Sequence, residues 1–304
     1  MSVLTAVDDS PGRYLRGSLF VLAAGMSWSF TGVFVRLAPD LTAWQFLTWR
    51  CVGMSVAFAL IHRARGHRNL IADWIALGLP GLLVSVSLFI ASVSYIVAMK
   101  TTTVANAIFL SSCSPLMSSV LGYLVLGERL GRPQIGAVAL GFVGLLIIVG
   151  GGVEAGNPIG NLCAIASALG FAVSSVTMRK SGGRDYMPAM FGFGLFGAAL
   201  AASMCMSQGT GVFGPYPQAV PGFFSGFLLM GLGFFLFLRG APFVPAVGQT
   251  VLAQTETVFG PIWVWLAFGE QPTLATLTGG ATIFVAVLGM AAAGGRPNPV
   301  NISN

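Results

Sequence analysis

Charge is what this chain has least of. Lys, Arg, Asp and Glu make up 8% of its 304 residues, against about 25% in ordinary globular domains. A soluble fold of this size needs a charged surface that the chain cannot supply. A mean hydropathy of +0.84 says that most side chains face lipid or other protein. Histidine is scarcer still: His62 and His67 are the only two, and both stand in a basic gap between apolar runs. An intramembrane serine hydrolase needs a base beside its serine, so that class is disfavoured. No aspartate lies in the centre of an apolar run, which argues against an aspartyl protease and a metal centre alike. Cys51, Cys113, Cys163 and Cys205 all fall inside apolar segments without CxxC spacing. They read as small membrane-core residues, not as a disulfide or zinc set. No run resembles a potassium-filter TVGYG loop. Neither enzyme chemistry nor a cofactor is expected.

What is present in quantity is long apolar runs. A spanning helix needs about 20 mostly apolar residues, and ten candidates emerge, at roughly 18–38, 42–61, 74–99, 103–126, 134–152, 159–179, 187–207, 220–238, 243–268 and 274–293. The expected class is therefore all-α and integral to the membrane, because lipid offers no partners to free backbone groups. The ten-residue alternation of a barrel is absent. A net charge of +6 invites a nucleic-acid reading, but the charges sit in short gaps, mostly alternate ones. With ten spans, one side receives Arg13, Arg16, Arg63, Arg65, Arg68, Arg129, Arg132, Arg179, Lys180, Arg184, Arg239 and Arg296. The other receives Lys100 and Arg36, with Arg50 inside a span. The positive-inside rule then puts both termini in the cytoplasm. The first run, with no convincing cleavage site before it, is expected to be retained as a span. Two motif matches carry nothing. Gly192-Phe-Gly194-Leu-Phe-Gly197 fits GxGxxG but lies in an apolar span with no preceding strand, and the sequon Asn301-Ile-Ser303 falls on a cytoplasmic tail.

The second half of the chain repeats the first. Gly17 through Arg36 lines up with Gly160 through Arg179, and Leu126-Gly127-Glu128-Arg129 with Phe268-Gly269-Glu270-Gln271. The expected organisation is a tail over 1–17, five helices over 18–152, five more over 153–293 and a tail over 294–304. An odd number of spans per repeat turns the second copy upside down, as in transporters built from inverted repeats. The small-xxx-small pairs Gly222/Gly226 and Ala137/Gly141 are expected at helix contacts, within the chain or with a second copy in a homo-oligomer.

The two five-span repeats, Trp28-Ser29-Phe30 and Val35-Arg36 in span 1, Arg50 early in span 2 and the Gly-Glu motifs at 127–128 and 269–270 resemble the drug/metabolite transporter superfamily, EamA type. The resemblance covers nearly the whole chain. Within that superfamily it looks most like the YddG-type bacterial exporters of aromatic amino acids and paraquat-like compounds. It implies ten transmembrane helices around a central cavity, lined mainly by spans 1, 3, 4, 6, 8 and 9, in a bacterial inner membrane. Two departures stand out: Phe193 falls near the second-repeat counterpart of Arg50, and Gln271 replaces Arg129.

The residues themselves mark the same spans. Polar groups are costly in lipid and usually face the bundle interior. Span 4 carries Asn106, Ser111, Ser112 and Ser114 ahead of Pro115. Span 9 carries Gln249, Gln254 and Glu256 ahead of Pro261. The two prolines are candidate hinges, since each removes a backbone donor. Serines in such helices often bond their own carbonyls, so the amides of Asn106 and Gln254 stand above Ser111 and Ser114 as solute contacts. Glu256 is the sharpest residue, because an acid at the centre of a span costs about 2.5–3.5 kcal/mol. It is expected to meet a substrate ammonium or carry a proton, or else to pair with Arg50 or nearby hydroxyls. Trp28 and Phe171 are repeat equivalents near small polar residues, Ser175 among them. With Tyr95 they supply apolar walls for a ring-bearing solute. The expected partner is a small molecule, an amino acid or related metabolite, exported across the bilayer. A broad cationic-drug exporter is the alternative, and a phosphate-ester carrier is disfavoured because Arg50 is the one basic residue within a span.

Overall fold

The computed structural model describes residues 11–66, 69–127, 131–150, 157–180, 184–240, 243, 252–253 and 255–293. Every regular element among them is helical. In chain order they are α1 (Pro11–Ser29), α2 (Thr31–Arg36), α3 (Ala43–Ala64), α4 (Leu70–Ala76), α5 (Gly78–Thr101), α6 (Val104–Ser111), α7 (Ser114–Leu126), α8 (Arg132–Val149), α9 (Pro158–Lys180), α10 (Met187–Ser207), α11 (Tyr216–Phe224), a π-helical turn (Ser225–Leu232), α12 (Gly233–Gly240), α13 (Thr255–Phe268) and α14 (Leu274–Ala293). Eight stretches among the described residues are long and apolar enough to cross a membrane, from Leu15–Arg36 to Tyr216–Phe237. α13 and α14, of 14 and 20 residues, stand where the last two spans are expected. Large apolar side chains such as Leu124, Leu146, Leu162 and Leu266 lie exposed on the outside of the bundle, as lipid-facing residues do.

Local chemistry sets the boundaries. Thr42 caps α3 in a reciprocal box with Gln45, which satisfies two orphan N–H groups. The third span starts later than the apolar run suggests. Asn69 caps the short α4, Trp74 donates its indole N–H to Ser85 Oγ at 3.1 Å, and Gly78 at φ +60° turns the chain into α5. The Gly-Glu motifs have a plain backbone cause. α7 ends at Leu126 and α13 at Phe268, and the next residues, Gly127 and Gly269, adopt φ +69° and +71°. A left-handed residue after the last turn is the usual glycine stop.

Helix contacts repeat when the halves are exchanged. α5 packs on α9 as α1 packs on α12, while α6 and α7 lie on α9 as α13 lies on α1 and α2. α3 with α10, and α8 with α14, are self-paired. The ends tell the direction. Gly17, at the start of span 1, meets Gly240 at the end of span 8, whereas Gly160, at the start of span 6, meets Thr101 and Thr102 at the end of span 3. Arg36, which ends span 1, also reaches Thr102. The starts of the two repeats therefore lie at opposite ends of the bundle.

Both small-xxx-small pairs are used within the chain. A Cβ on Gly222 would press on Trp49, one on Gly226 would collide with the Arg50 carbonyl, and one on Gly141 with Leu116. Ala137 is buried in the same core as Ala286.

Candidate functional site

α13, where the ninth span is expected, runs beside α1, so the height of Glu256 can be read from its neighbours. A Cβ on Gly25 would lie 3.1 Å from Thr255 Cβ. Gly25 is eleven residues before Arg36, which at 1.5 Å per residue is about 16 Å from that end of the helix. That sets Glu256 about 16 Å along the bundle from the Arg36 end, half the thickness of an apolar membrane core of about 30 Å.

There it meets the other half of the protein. Tyr95 Oη donates to Glu256 Oε1 at 2.8 Å, joining α5 of the first repeat to α13 of the second. Both side chains are partly buried. Arg50, on α3, is 3% exposed and lies within electrostatic reach of both Tyr95 and Glu256. Its Nε and Nη1 are buried without a hydrogen-bond partner among the described residues. The acid–base side-chain contacts within ion-pair distance among the described residues are Arg36 with Glu270, His62 with Asp73 and Arg65 with Asp185; the Arg50–Glu256 pair foreseen as a structural alternative is not one of them. Three ionisable groups from α3, α5 and α13 thus come together, and Tyr95, expected as an apolar wall, also serves as a polar group.

The other expected residues divide. Trp28 is buried against Phe234 and Phe237, at ring distances of 5.1 and 5.8 Å. Phe171, its counterpart, is 41% exposed. It lies about 180° round α9 from the outward-facing Leu162 at 100° per residue, on the face that carries Ser175. Asn106 is 0% exposed. Its carboxamide oxygen accepts from Thr276 Oγ1 of α14, and its backbone N–H is capped by Thr103. This bond ties α6 to α14. Ser111 donates to the Ala164 carbonyl of α9 at 3.2 Å, and Ser114 is partly buried at the start of α7. Gln249 and Gln254 lie outside the described residues. The two prolines differ: span 4 breaks at Ser112–Cys113, just before Pro115 in the first turn of α7, whereas Pro261 sits inside the continuous α13.

A second polar cluster, at the Arg36 end, was visible in the sequence as motifs without a role. Glu270 accepts from Arg36 Nε at 2.9 Å and pairs with Nη2 at 2.7 Å. Its other oxygen accepts from the Val104 backbone N–H at 2.5 Å. Arg36 also donates to the Thr102 carbonyl at 3.4 Å, and Thr102 Oγ1 donates to Asn161 Oδ1 at 3.1 Å. One carboxylate therefore ties the end of span 1 to the start of span 4, at the N-terminus of α6, where the helix dipole favours it. Lys100 Nζ closes the same end on the Ala38 carbonyl at 2.7 Å. The apolar gap lined by Cys113, Leu116, Met117 and Gly141 is about 10 Å³, room for no more than a single water, and it is no solute site.

Comparison with known proteins agrees with this architecture. The family model described as "EamA-like transporter family" matches residues 15–150 and again 158–292. An uncharacterized transporter of Archaeoglobus fulgidus is 30% identical over 209 residues, 66% of this chain and 72% of that protein. Human solute carrier family 35 member G1 is 25% identical over 292 residues, 90% of this chain and 78% of that protein. A crystal structure superposes with a TM-score of 0.67 at 19% identity, over 92% of this chain and 99% of the other, a likeness of fold alone. The chain belongs to the EamA-like transporter family, and the protein is a multi-pass membrane transporter and not an enzyme.

Proposed function

We propose that this transporter exports small amphiphilic metabolites, foremost amino acids with aromatic or bulky side chains, by alternating access between two inverted five-helix repeats. Ten spans, both termini in the cytoplasm and a bacterial inner membrane complete the reading, which rests on the basic residues clustering on one side. The observation that carries it is the hydrogen bond from Tyr95 to Glu256 at mid-membrane depth. An acid at that depth suits the path of a polar solute, and the bond joins the two halves that alternating access moves against each other. Glu256 binds the ammonium of the solute. Trp28 and Phe171 contribute apolar surface, and Tyr95 contributes its ring. The helix break before Pro115 lets the end of span 4 swing. A solute drives such a change only by binding one state better than the other.

A second reading shares Glu256. An acid facing a midplane site is equally the counter-charge of an organic cation, so broad cationic-drug export competes with amino-acid export. A competition panel of the twenty amino acids, with paraquat as the cation, in proteoliposomes with and without a pH gradient, separates the two. Aromatic and bulky amino acids are expected to compete best. If no amino acid crosses faster than through empty liposomes while paraquat does, the second reading stands. Glu256→Gln is expected to abolish most of the flux; an unchanged rate and pH dependence at equal protein removes Glu256 from the mechanism.

A further inference from the structure

A guanidinium buried in a membrane protein needs partners for its N–H groups, because each unmade bond to a charged group is costly. Arg36 has them at the bundle end, from Glu270 and Thr102. Arg50 does not. It is 3% exposed, with Nε and Nη1 buried and unpartnered. Packing does not let it move away easily, since the π-helical turn lies against its own backbone carbonyl through Gly226. One acid stands within electrostatic reach, yet Glu256 turns an oxygen to Tyr95. Ser92, one turn before Tyr95 on α5 and therefore on the same helix face, also has a buried, unpartnered hydroxyl.

We infer that Arg50 is an anion-binding element of the solute site: Nε and Nη1 take a ligand carboxylate while Glu256 meets the cation of the same solute. Two adjacent guanidinium N–H groups match the two oxygens of a carboxylate, the bidentate pairing for which arginine is suited and lysine is not. The ligand class is then a zwitterion, with Ser92 as a further donor beside the carboxylate. An organic cation leaves the Arg50 groups unpaired and adds a second positive charge beside the guanidinium. A site with unpaired buried donors rejects a ligand that cannot satisfy them. This inference rests on the proposed export function, and of the two solute classes it favours the zwitterion.

The test uses the full-length protein purified in detergent, with binding followed by thermal shift and tryptophan fluorescence. The probes are phenylalanine and phenylalaninamide, which share ring and ammonium and differ by the carboxylate. Wild type is expected to bind phenylalanine about tenfold or more tightly than the amide, the worth of a charge-assisted bond. Arg50→Gln is expected to lose that preference by weakening phenylalanine alone, and Arg50→Lys to restore part of it. A wild-type protein that binds both alike overturns the inference, as does an Arg50→Gln protein that keeps the preference; both results leave solute binding at Glu256 standing. If Arg50→Gln does not fold, the wild-type preference and its change in Arg50→Lys decide the matter. Binding of neither probe, together with no amino-acid flux, brings down the proposed function itself and this inference with it.

Discussion

Replacing Glu270 with Gln is expected to loosen the end of the bundle that we assign to the outer face. In the structure one carboxylate accepts from Arg36 Nε at 2.9 Å and from Val104 N at 2.5 Å, with Arg36 Nη2 at 2.7 Å. Bonds to a charged group contribute about 1.5–3 kcal/mol each when water is excluded. The Arg36 and Glu270 side chains are 30% and 20% exposed, so screening takes the ion-pair share down to about 1 kcal/mol or less. Gln keeps a single acceptor oxygen, which can serve Arg36 or Val104 but not both as the carboxylate does. The net loss is about 1–2 kcal/mol, a factor of roughly 5–30 in the balance between closed and open ends. Thr31, 1% exposed, lies five residues below Arg36 on the same span, about 8 Å deeper. Thr31→Cys in a background lacking Cys51, Cys113, Cys163 and Cys205 therefore reports the opening. Labelling by a membrane-impermeant maleimide in whole cells is expected to quicken by about that factor when Glu270→Gln is added. The exchange Arg36→Glu with Glu270→Arg is expected to recover slow labelling only in part, because the arginine cannot accept from Val104. An unchanged labelling rate in Glu270→Gln refutes the clamp.

Three further outcomes follow from single contacts. Tyr95→Phe removes the donor at 2.8 Å from Glu256 and is expected to weaken solute binding about fivefold to tenfold with little change in thermal stability, as one bond of about 1 kcal/mol implies; titration of the purified protein reads it. Asn106→Ala removes the amide acceptor of the Thr276 hydroxyl, which keeps its contact with Thr273 Oγ1, and is expected to cost about 0.5–1.5 kcal/mol of stability, seen as a lower melting temperature with the apparent KM unchanged. Gly127→Ala and Gly269→Ala put a side chain at φ near +70° in otherwise open space, so each is expected to cost about 1 kcal/mol through backbone conformation alone, measured by the same melt.

Much of the frame was legible because it repeats. Aligning the halves pairs Leu126 with Phe268 and Gly127 with Gly269, and the structure ends the two helices at those residues with the same left-handed glycine. Hydropathy places runs, not contacts. It gave no means of knowing that Tyr95 and Glu256 touch, since 161 residues separate them. Nor did it show that Asn106 is spoken for by Thr276, 170 residues on. A buried amide reads the same in sequence whether it serves a ligand or a neighbouring helix. The late start of the third span was hidden for another reason. α4 is itself apolar enough to merge with the run that follows, and the turn at Gly78 leaves no trace in an averaged window.

Repetition also shows where the two halves part. The offset of 142 residues that pairs Glu128 with Glu270 pairs Tyr95 with Phe237 and Glu256 with Ser114, while Arg50 falls beside Phe193. At the counterparts of Tyr95 and Arg50 the chain packs instead of polarising. Phe237 lies 5.8 Å from Trp28 and Phe193 lies 6.4 Å from Phe89, ring separations at which aromatic pairs attract. On the proposed mechanism, the symmetry of the backbone serves movement and its breaking serves binding. Were the polar cluster duplicated, a solute would find equivalent partners in the two states related by exchanging the halves, and binding could not tell them apart. With Arg50 and Tyr95 on one half and Glu256 on the other, the distance between the two charged groups changes whenever the halves shift. A solute that bridges them holds a single arrangement best, and that difference in affinity is the only means a ligand has of moving the equilibrium.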